Sequence, residues 1–534
     1  MSATDLNAAA EVIELASGAV SNAVRTLATV GSVDEDQVVA YDLAHAASAV
    51  EAARSLLDYG AKGELEARIT CAFVADATAE LNAKLWSRES EWGVAPGALD
   101  GARDFVSTYR SPHFLRDLAF EEGPRHLDPD FELVQDTFRR FANDKIAPAA
   151  EHIHRANTDI PEEIIGGLGE IGAFGLSIPE QYGGYATGGE SDYAAMIIAT
   201  EELSRASLGA GGSLITRPEI LARALEQGGT EDQKHKWLPQ LATGEKMVAV
   251  SVTEPDYGSD VANIKVTAKP TEGGWLINGV KTWCTFAGRA DVLMLLARSD
   301  ADRSKTHRGL SLFIVEKPRA AGHDFAFTQQ AGDSGAPGGG TMEGRSIDTI
   351  GYRGMHSYEL ALDDWFVPAD NQIGGEQGLG KGFYFQMAGF ENGRLQTAAR
   401  SVGVMQAAYE AARQYASDRV VFGQTVGQYQ LTQVKLARMA ILIQSSRQFA
   451  YSVGRLLSKG EGLVEASMAK AYASRSAEWV AREALQIHGG MGYAEEYPVS
   501  RYYVDARVLS IFEGADETLA LKIITRRLLD NANA

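Results

Sequence analysis

Cysteine is nearly absent from this 534-residue chain, with only Cys71 and Cys284 present. Their separation fits neither a disulfide framework nor a CxxC metal or redox pair, so each is expected to be a structural thiol. The ten histidines show no HExxH or comparable spacing, and no metal is expected. Long apolar runs are missing too. No stretch of about 18 apolar residues could cross a bilayer, and the start, Met1-Ser2-Ala3-Thr4-Asp5, lacks the basic and apolar segments of a secretion signal. These absences point to a cytoplasmic chain without a membrane role. Positive charge is the other deficit: 50 basic residues against 71 acidic ones leave a formal net charge of -21. Such a surface repels polyanions and argues against general nucleic-acid binding, while leaving room for local basic pockets. What remains is 45% hydrophobic and 23% charged, the balance of a folded chain long enough for two to four structural units.

The first hundred residues are rich in alanine and read as amphipathic helices. Ile13, Val20, Val24 and Leu27 mark one buried stripe, Val39, Leu43, Val50 and Leu57 a second, and Ile69, Phe73, Leu81 and Leu85 a third. Ser32 with Glu35 forms a plausible capping box between the first two. Gly93 to Gly101 and Ser111-Pro112 break the pattern. These helices either form their own bundle or pack on the rest of the protein. A second helical region starts at Asp128-Pro129, with Phe131, Phe138 and Phe141 on one face, and runs to about Gly244. From Met247 the period becomes two: Val248, Val250 and Val252 alternate, Ile264-Lys265-Val266 and Trp275-Leu276-Ile277 flank the turn at Glu272-Gly273-Gly274, and Val292 to Ala297 reads as a buried strand. Gly332 to Gly344, with six glycines and a proline, reads as a surface loop. Long helices return after Phe383, among them Leu395 to Arg419, Gln430 to Leu457, and a last one over about Thr518 to Leu529. The expected fold is mainly α with a central β domain. The expected divisions are 1–125, a helical extension; 126–246, helical; 247–370, β; and 371–534, helical.

Three strings stand out: Val252-Thr253-Glu254-Pro255-Asp256-Tyr257-Gly258-Ser259-Asp260, Asp418-Arg419-Val420-Val421-Phe422-Gly423 with Gln430, and Gln486-Ile487-His488-Gly489-Gly490-Met491-Gly492-Tyr493. A glycine series lets backbone approach a phosphate or adenosine closely, and a strand-turn with hydroxyls and backbone donors can hold the polar edge of a flat ring. In this order and setting the strings resemble the signatures of the acyl-CoA dehydrogenase family, over roughly Asp128 to the C-terminus. The resemblance implies that family's fold: a helical domain, a β-barrel-like domain and a four-helix bundle. It also implies FAD as cofactor. By likeness, Val252 and Thr253 line the flavin, Ser259 reaches a cofactor phosphate, and Trp283 and Thr285 flank the ring. Gln486, Gly489 and Gly490 resemble residues that hold the adenosine end from a neighbouring subunit, and Arg419, Phe422 and Gln430 ones that contact FAD across the dimer interface. A homodimer or homotetramer is therefore implied, with an electron-transferring flavoprotein as electron acceptor.

Removing a proton alpha to a thioester calls for a carboxylate, helped by hydrogen bonds to the thioester carbonyl. The family places its base in a short string after the last signature, where this chain has Phe512-Glu513-Gly514. The likeness makes Glu513 the base, with its backbone N–H polarising the carbonyl and Gly514 beside the substrate. Ala515 and Glu517 depart from the family's threonine and glutamine, so one or two cofactor contacts are lost or replaced. Some branches place the base instead in the segment equivalent to Phe390-Glu391-Asn392-Gly393-Arg394; here that position is Gly393, and Glu391 is the remaining competitor. Arg394 resembles the residue that meets the coenzyme A phosphates, the alternative being a helix-start ion pair. The extension before residue 125 and the texture of Ser213 to Ile220 resemble the branch that converts methylsuccinyl-CoA to mesaconyl-CoA. A substrate carboxylate then needs a cation, and Arg217 is the candidate, against the alternative of a surface ion pair; Arg353 is a second. An acyl-CoA oxidase and a DNA-binding flavoprotein of the same fold are the competing functions.

Overall fold

Helices with a single apolar stripe need a surface to cover it. The computed structural model, which describes residues 4–30, 33–320 and 323–533, shows what the N-terminal helices cover. By packing, the chain divides into two compact units, residues 1–133 with 394–534, and residues 134–393. In the first unit, helices α1 (Leu6–Val30), α2 (Gln37–Gly60) and α3 (Glu64–Leu85) bury the stripes read from the sequence, except that Leu56 takes the core position expected of Leu57. One residue rotates a helix face by about 100°, so a single-step slip changes which leucine goes inside.

The extension does not form a separate bundle. It packs against the C-terminal helices Gln430–Leu457, Leu463–His488 and Thr525–Asn533. Phe73 meets Tyr472 edge to face, with centroids 5.8 Å apart. Arg438 forks onto Asp76 at 3.0 and 3.1 Å, Gln444 donates to the carbonyls of Glu122 and Gly123, and Thr525 Oγ1 donates to the Ala40 carbonyl at 2.8 Å. Ser111 starts structure as well as breaking it, because its hydroxyl caps the short helix Pro112–Arg116. The capping box expected at Ser32 and Glu35 involves a residue outside those described. The last helix differs from expectation: a π-turn, Leu519–Ile524, separates Asp516–Thr518 from Thr525–Asn533.

The second unit holds an eight-stranded sheet: β1 (Val248–Ser251), β2 (Thr267–Thr271), β3 (Gly274–Lys281), β4 (Val292–Arg298), β5 (Leu310–Glu316), β6 (Phe325–Thr328), β7 (Thr341–Ile347) and β8 (Ser357–Pro368). The path is β1-β4-β2-β3-β8-β7-β6, with β5 also on β4. It curls as a half-barrel, so the mainly helical fold with a central β part is the expected one. Helices Ser213–Gly228 and Glu231–Ala242 supply Leu221, Leu225, Trp237 and Leu238 to a core shared with Val248, Val292, Met294, Leu312 and Ile314. β4 is buried along its whole length, as its unbroken apolar run requires.

Three expectations need correcting. Ile264-Lys265-Val266 is not a strand, because the amides of Lys265 and Val266 donate to the Glu254 carboxylate, at 2.6 and 2.9 Å, in place of a ladder. The glycine-rich loop ends at Gly340, since Thr341 to Gly344 pair with β8. Helix Gly382–Asp418 also begins well before Leu395. Gly389 allows this: a Cβ there would sit 2.6 Å from the Ile220 carbonyl oxygen, so the glycine serves close packing instead of ending the helix.

Candidate active site

In the second unit, the loop after β1 is organised by a buried carboxylate. Glu254 accepts the Lys265 and Val266 amides, and Lys281 Nζ donates to it at 2.9 Å and to the Val252 carbonyl at 2.8 Å. Lys281 is fully buried; burial lowers its pKa, and the Glu254 carboxylate works in the opposite direction. Thr282 N–H donates to the Thr253 carbonyl at 2.9 Å, which ties the Val252-Thr253 segment to Trp283-Cys284-Thr285. These two expected groups therefore come together. Val252 and Thr285 are buried, and Thr285 Oγ1 lies 3.1 Å from Ser357 Oγ. Trp283 is 55% exposed with φ of +57°, an unusual conformation for a bulky residue that turns a flat apolar face outward. Ser259 is exposed further along the loop.

Arg217 sits on helix Ser213–Gly228 with 6% of its surface exposed, so it is a buried side chain and not a surface one. Its Nη2 donates to Tyr352 Oη at 3.1 Å. Arg353 is committed elsewhere, donating to the carbonyls of Thr349 and His154. That use fixes a turn and makes it a weak candidate for a ligand carboxylate. Although residue spacing holds no metal motif, the fold brings Asp159, His323 and His356 together, with ligand-capable atoms within 4.8 Å of one another. Asp159 there lies 3.2 Å from His356 Nε2 and 3.7 Å from Arg289. An ion-paired cluster already accounts for the carboxylate.

In the first unit, Glu513 follows helix Val499–Val508 on a tight loop. Its side chain is 4% exposed and Arg400 Nη2 lies 3.8 Å from its Oε1. Glu513 has φ of +54° and Gly514 of +102°. A left-handed glutamate is uncommon, and such strain persists where surrounding contacts over-determine it. Those contacts are visible: Arg400, fully buried, also lies over the Phe512 ring at 4.6 Å, and Lys470 Nζ donates to the Gly514 carbonyl at 2.6 Å. A Cβ on Gly514 would come 2.8 Å from Leu519, so this position needs glycine for both space and φ. Burial pushes Lys470 down to about 7, against the nearby Asp516 and Glu513 carboxylates. Arg394 is buried, with Nη1 3.4 Å from Ser467 Oγ. Sequence reading missed Arg400, Lys470 and Asp516. Each is an ordinary residue inside a helix or just past a motif, and only the fold brings them to the loop.

The remaining expected residues of this unit lie at two exposed places. After helix Gly382–Asp418, the strands Val420–Val421 and Gln424–Thr425 form a two-residue hairpin whose tip, Phe422-Gly423, has φ of +49° and +87°. That is the twist a tight hairpin prefers, and it presents Phe422 at 99% exposure. Arg419 and Gln430 flank it, both exposed. At the end of helix Leu463–His488, Gln486, Gly489 and Gly490 are exposed, and a Cβ on either glycine would meet nothing within 4 Å. Bare glycine backbone, outward aromatic faces and hydroxyls beside a strand are what a dinucleotide with a flat ring requires, so the residues present fit FAD.

Three family models match in order: the acyl-CoA dehydrogenase N-terminal domain at residues 128–245, the middle domain at 249–365 and the C-terminal domain at 380–529. The chain belongs to the acyl-CoA dehydrogenase family, and is an FAD-dependent oxidoreductase. Among its relatives is a (2S)-methylsuccinyl-CoA dehydrogenase of Cereibacter sphaeroides, 43% identical over 76% of this chain and 71% of the relative. An acyl-CoA dehydrogenase of Bacillus subtilis is 35% identical over 76% of this chain and 99% of its own. A solved glutaryl-coenzyme A dehydrogenase in complex with glutaryl-CoA superposes with a TM-score of 0.68 at 31% identity, covering 77% of this chain and 97% of that one. The three family models leave residues 1–127 unmatched.

Proposed function

We propose that this protein oxidises (2S)-methylsuccinyl-CoA to mesaconyl-CoA, as a step of the ethylmalonyl-CoA pathway, with Glu513 as the base. The observation that carries the reading is the buried Glu513 carboxylate, held on a left-handed loop beside a buried arginine. Glu513 takes the alpha proton of the thioester, and its backbone N–H and Gly514 face the thioester carbonyl. FAD, when bound, supplies the acceptor for the beta hydride, so that the C–H electrons leave and a C=C bond remains. Val252, Thr253, Ser259, Trp283 and Thr285 hold the flavin end. Gln486, Gly489, Gly490, Arg419, Phe422 and Gln430 hold FAD of a neighbouring subunit, which makes the working form a homodimer or homotetramer. Arg394 meets the coenzyme A phosphates, and the electrons pass on to an electron-transferring flavoprotein in the cytoplasm.

The 43% relative supports the substrate, and so does the chemistry of Arg217. Burying a substrate carboxylate without a cation costs several kcal/mol, and Arg217 is a buried cation that donates to the Tyr352 hydroxyl. Anaerobic mixing of the flavin-loaded protein with a panel of thioesters tests the assignment. Selective bleaching by methylsuccinyl-CoA supports it, while bleaching by butyryl- or isobutyryl-CoA instead keeps the class and rejects the substrate. Glu513→Gln is expected to retain FAD and lose flavin reduction; substantial turnover would mean another base. Reduced protein that reacts rapidly with air to give peroxide would point to an oxidase.

A further inference from the structure

The N-terminal extension reaches the loop that carries Glu513. Asp516, three positions beyond it, is 7% exposed, and its backbone N–H donates to the Ser510 carbonyl at 3.1 Å, closing the loop on itself. Its carboxylate faces α2. Tyr41 Oη donates to Asp516 Oδ2 at 2.6 Å, and His45 Nε2, one helical turn further along α2, lies 3.2 Å from the same oxygen. The two rings pack edge to face at 4.5 Å. Arg475 Nη1 donates to Tyr41 Oη at 2.9 Å and stands 3.8 Å from Asp516. A phenol that accepts from an arginine turns its own proton toward the carboxylate, so the direction of the short bond is set. Burial first, then Asp516, push the Tyr41 pKa up, which keeps the hydroxyl a donor. From the other side Lys470 holds the Gly514 carbonyl. Residues 513 and 514 thus lie between two anchors, one on a core helix and one on the extension.

We infer that Tyr41 and His45 of the extension are positioning residues for Glu513, acting through Asp516. The inference rests on the reading of Glu513 as base. A left-handed glutamate does not hold its own direction, and a base displaced by about 1 Å can lose on the order of a hundredfold in rate. The extension thereby serves proton abstraction without touching substrate.

The test uses full-length, flavin-loaded protein and anaerobic stopped-flow reduction by methylsuccinyl-CoA, or by whichever thioester of the panel bleaches the wild type. Tyr41→Phe removes one oxygen, and Asp516→Asn removes the charge it meets. Each is expected to slow flavin reduction about tenfold or more, with FAD content and the thioester concentration for half-maximal rate within about twofold. The isotope effect from alpha-deuterated thioester should rise, because proton removal becomes more limiting. The Tyr41→Phe/Asp516→Asn double variant should be no slower than Asp516→Asn alone, since the two act as one contact. Asp34→Asn breaks the exposed Lys522–Asp34 pair elsewhere between the extension and the C-terminal helices and should leave the rate unchanged. If Tyr41→Phe reduces flavin at the wild-type rate, or Asp34→Asn slows it equally, the inference is overturned. Glu513→Gln is measured alongside: normal reduction there sinks the base and the inference together, whereas a dead Glu513→Gln with a normal Tyr41→Phe sinks the inference alone. Should Asp516→Asn fail to fold, Tyr41→Phe with its isotope effect still decides.

Discussion

Arg400 shows how much one side chain can be asked to do. It is wholly buried, meets Thr397 Oγ1 at 2.6 Å, stacks its plane on Phe512 and stands 3.8 Å from Glu513. Arg400→Met would leave a buried carboxylate without its cation, and a loss of folding stability on the order of 3 kcal/mol is expected, read as a lowered thermal midpoint. Arg400→Lys restores charge but not the planar stack, so it should recover only part of the loss. Equal midpoints for wild type and Arg400→Met would refute the pairing. Arg217 makes a separate residue-scale prediction. Arg217→Ala should lower turnover of methylsuccinyl-CoA at least tenfold while sparing a monocarboxylyl thioester, and unchanged turnover removes Arg217 from the substrate site.

At the scale of elements, the hairpin Val420–Thr425 is short and its tip is bare. A fully exposed phenylalanine adds little to the stability of its own chain, so Phe422→Ala should leave the thermal midpoint of the apoprotein within about 1 °C. Flavin content after gel filtration should fall, since the proposed role of Phe422 lies with a neighbouring subunit's FAD; undiminished flavin would count against that role. α2 carries a different sensitivity. Burial holds the His45 imidazole below its ordinary 6.5, opposed by Asp516, and Asp516 itself lies below its ordinary 3.8 because His45, Tyr41 and Arg475 outweigh its burial. Both shifts run the same way: the contribution to stability is full above 6.5 and declines as pH falls through the depressed His45 value, with Asp516 adding its loss only below 3.8. His45→Gln should therefore flatten the fall in thermal stability as pH drops below 6.5, read as thermal midpoints across a pH series.

Elements also show what could be read beforehand. The stripes of α1, α2 and α3 and the buried run of β4 were legible because period and apolarity coincide there. Ile264 to Val266 looked like a strand for the same reason, but a buried carboxylate eleven residues earlier competes for its amides. Glu513 could be picked out by its neighbours in the string. Arg400, Lys470 and Tyr41 could not, since their meaning depends on tertiary contacts that span up to hundreds of residues.

For the molecule as a whole, the pairing of residues 1–133 with 394–534 in one unit bears on the order in which the protein can be made. Thr525 reaches Ala40 and Asp516 reaches Tyr41 across separations of 485 and 475 residues. Residues 134–393 form their own unit and can mature while the ribosome is still at work. The first helices cannot complete their packing until the helices of residues 394–534 have been made. Closing so long a span is slow, and the waiting surface is open to association with other nascent chains. The loop bearing Glu513 would therefore be among the last parts to take shape, and a product stalled before residue 513 would lack the proposed base.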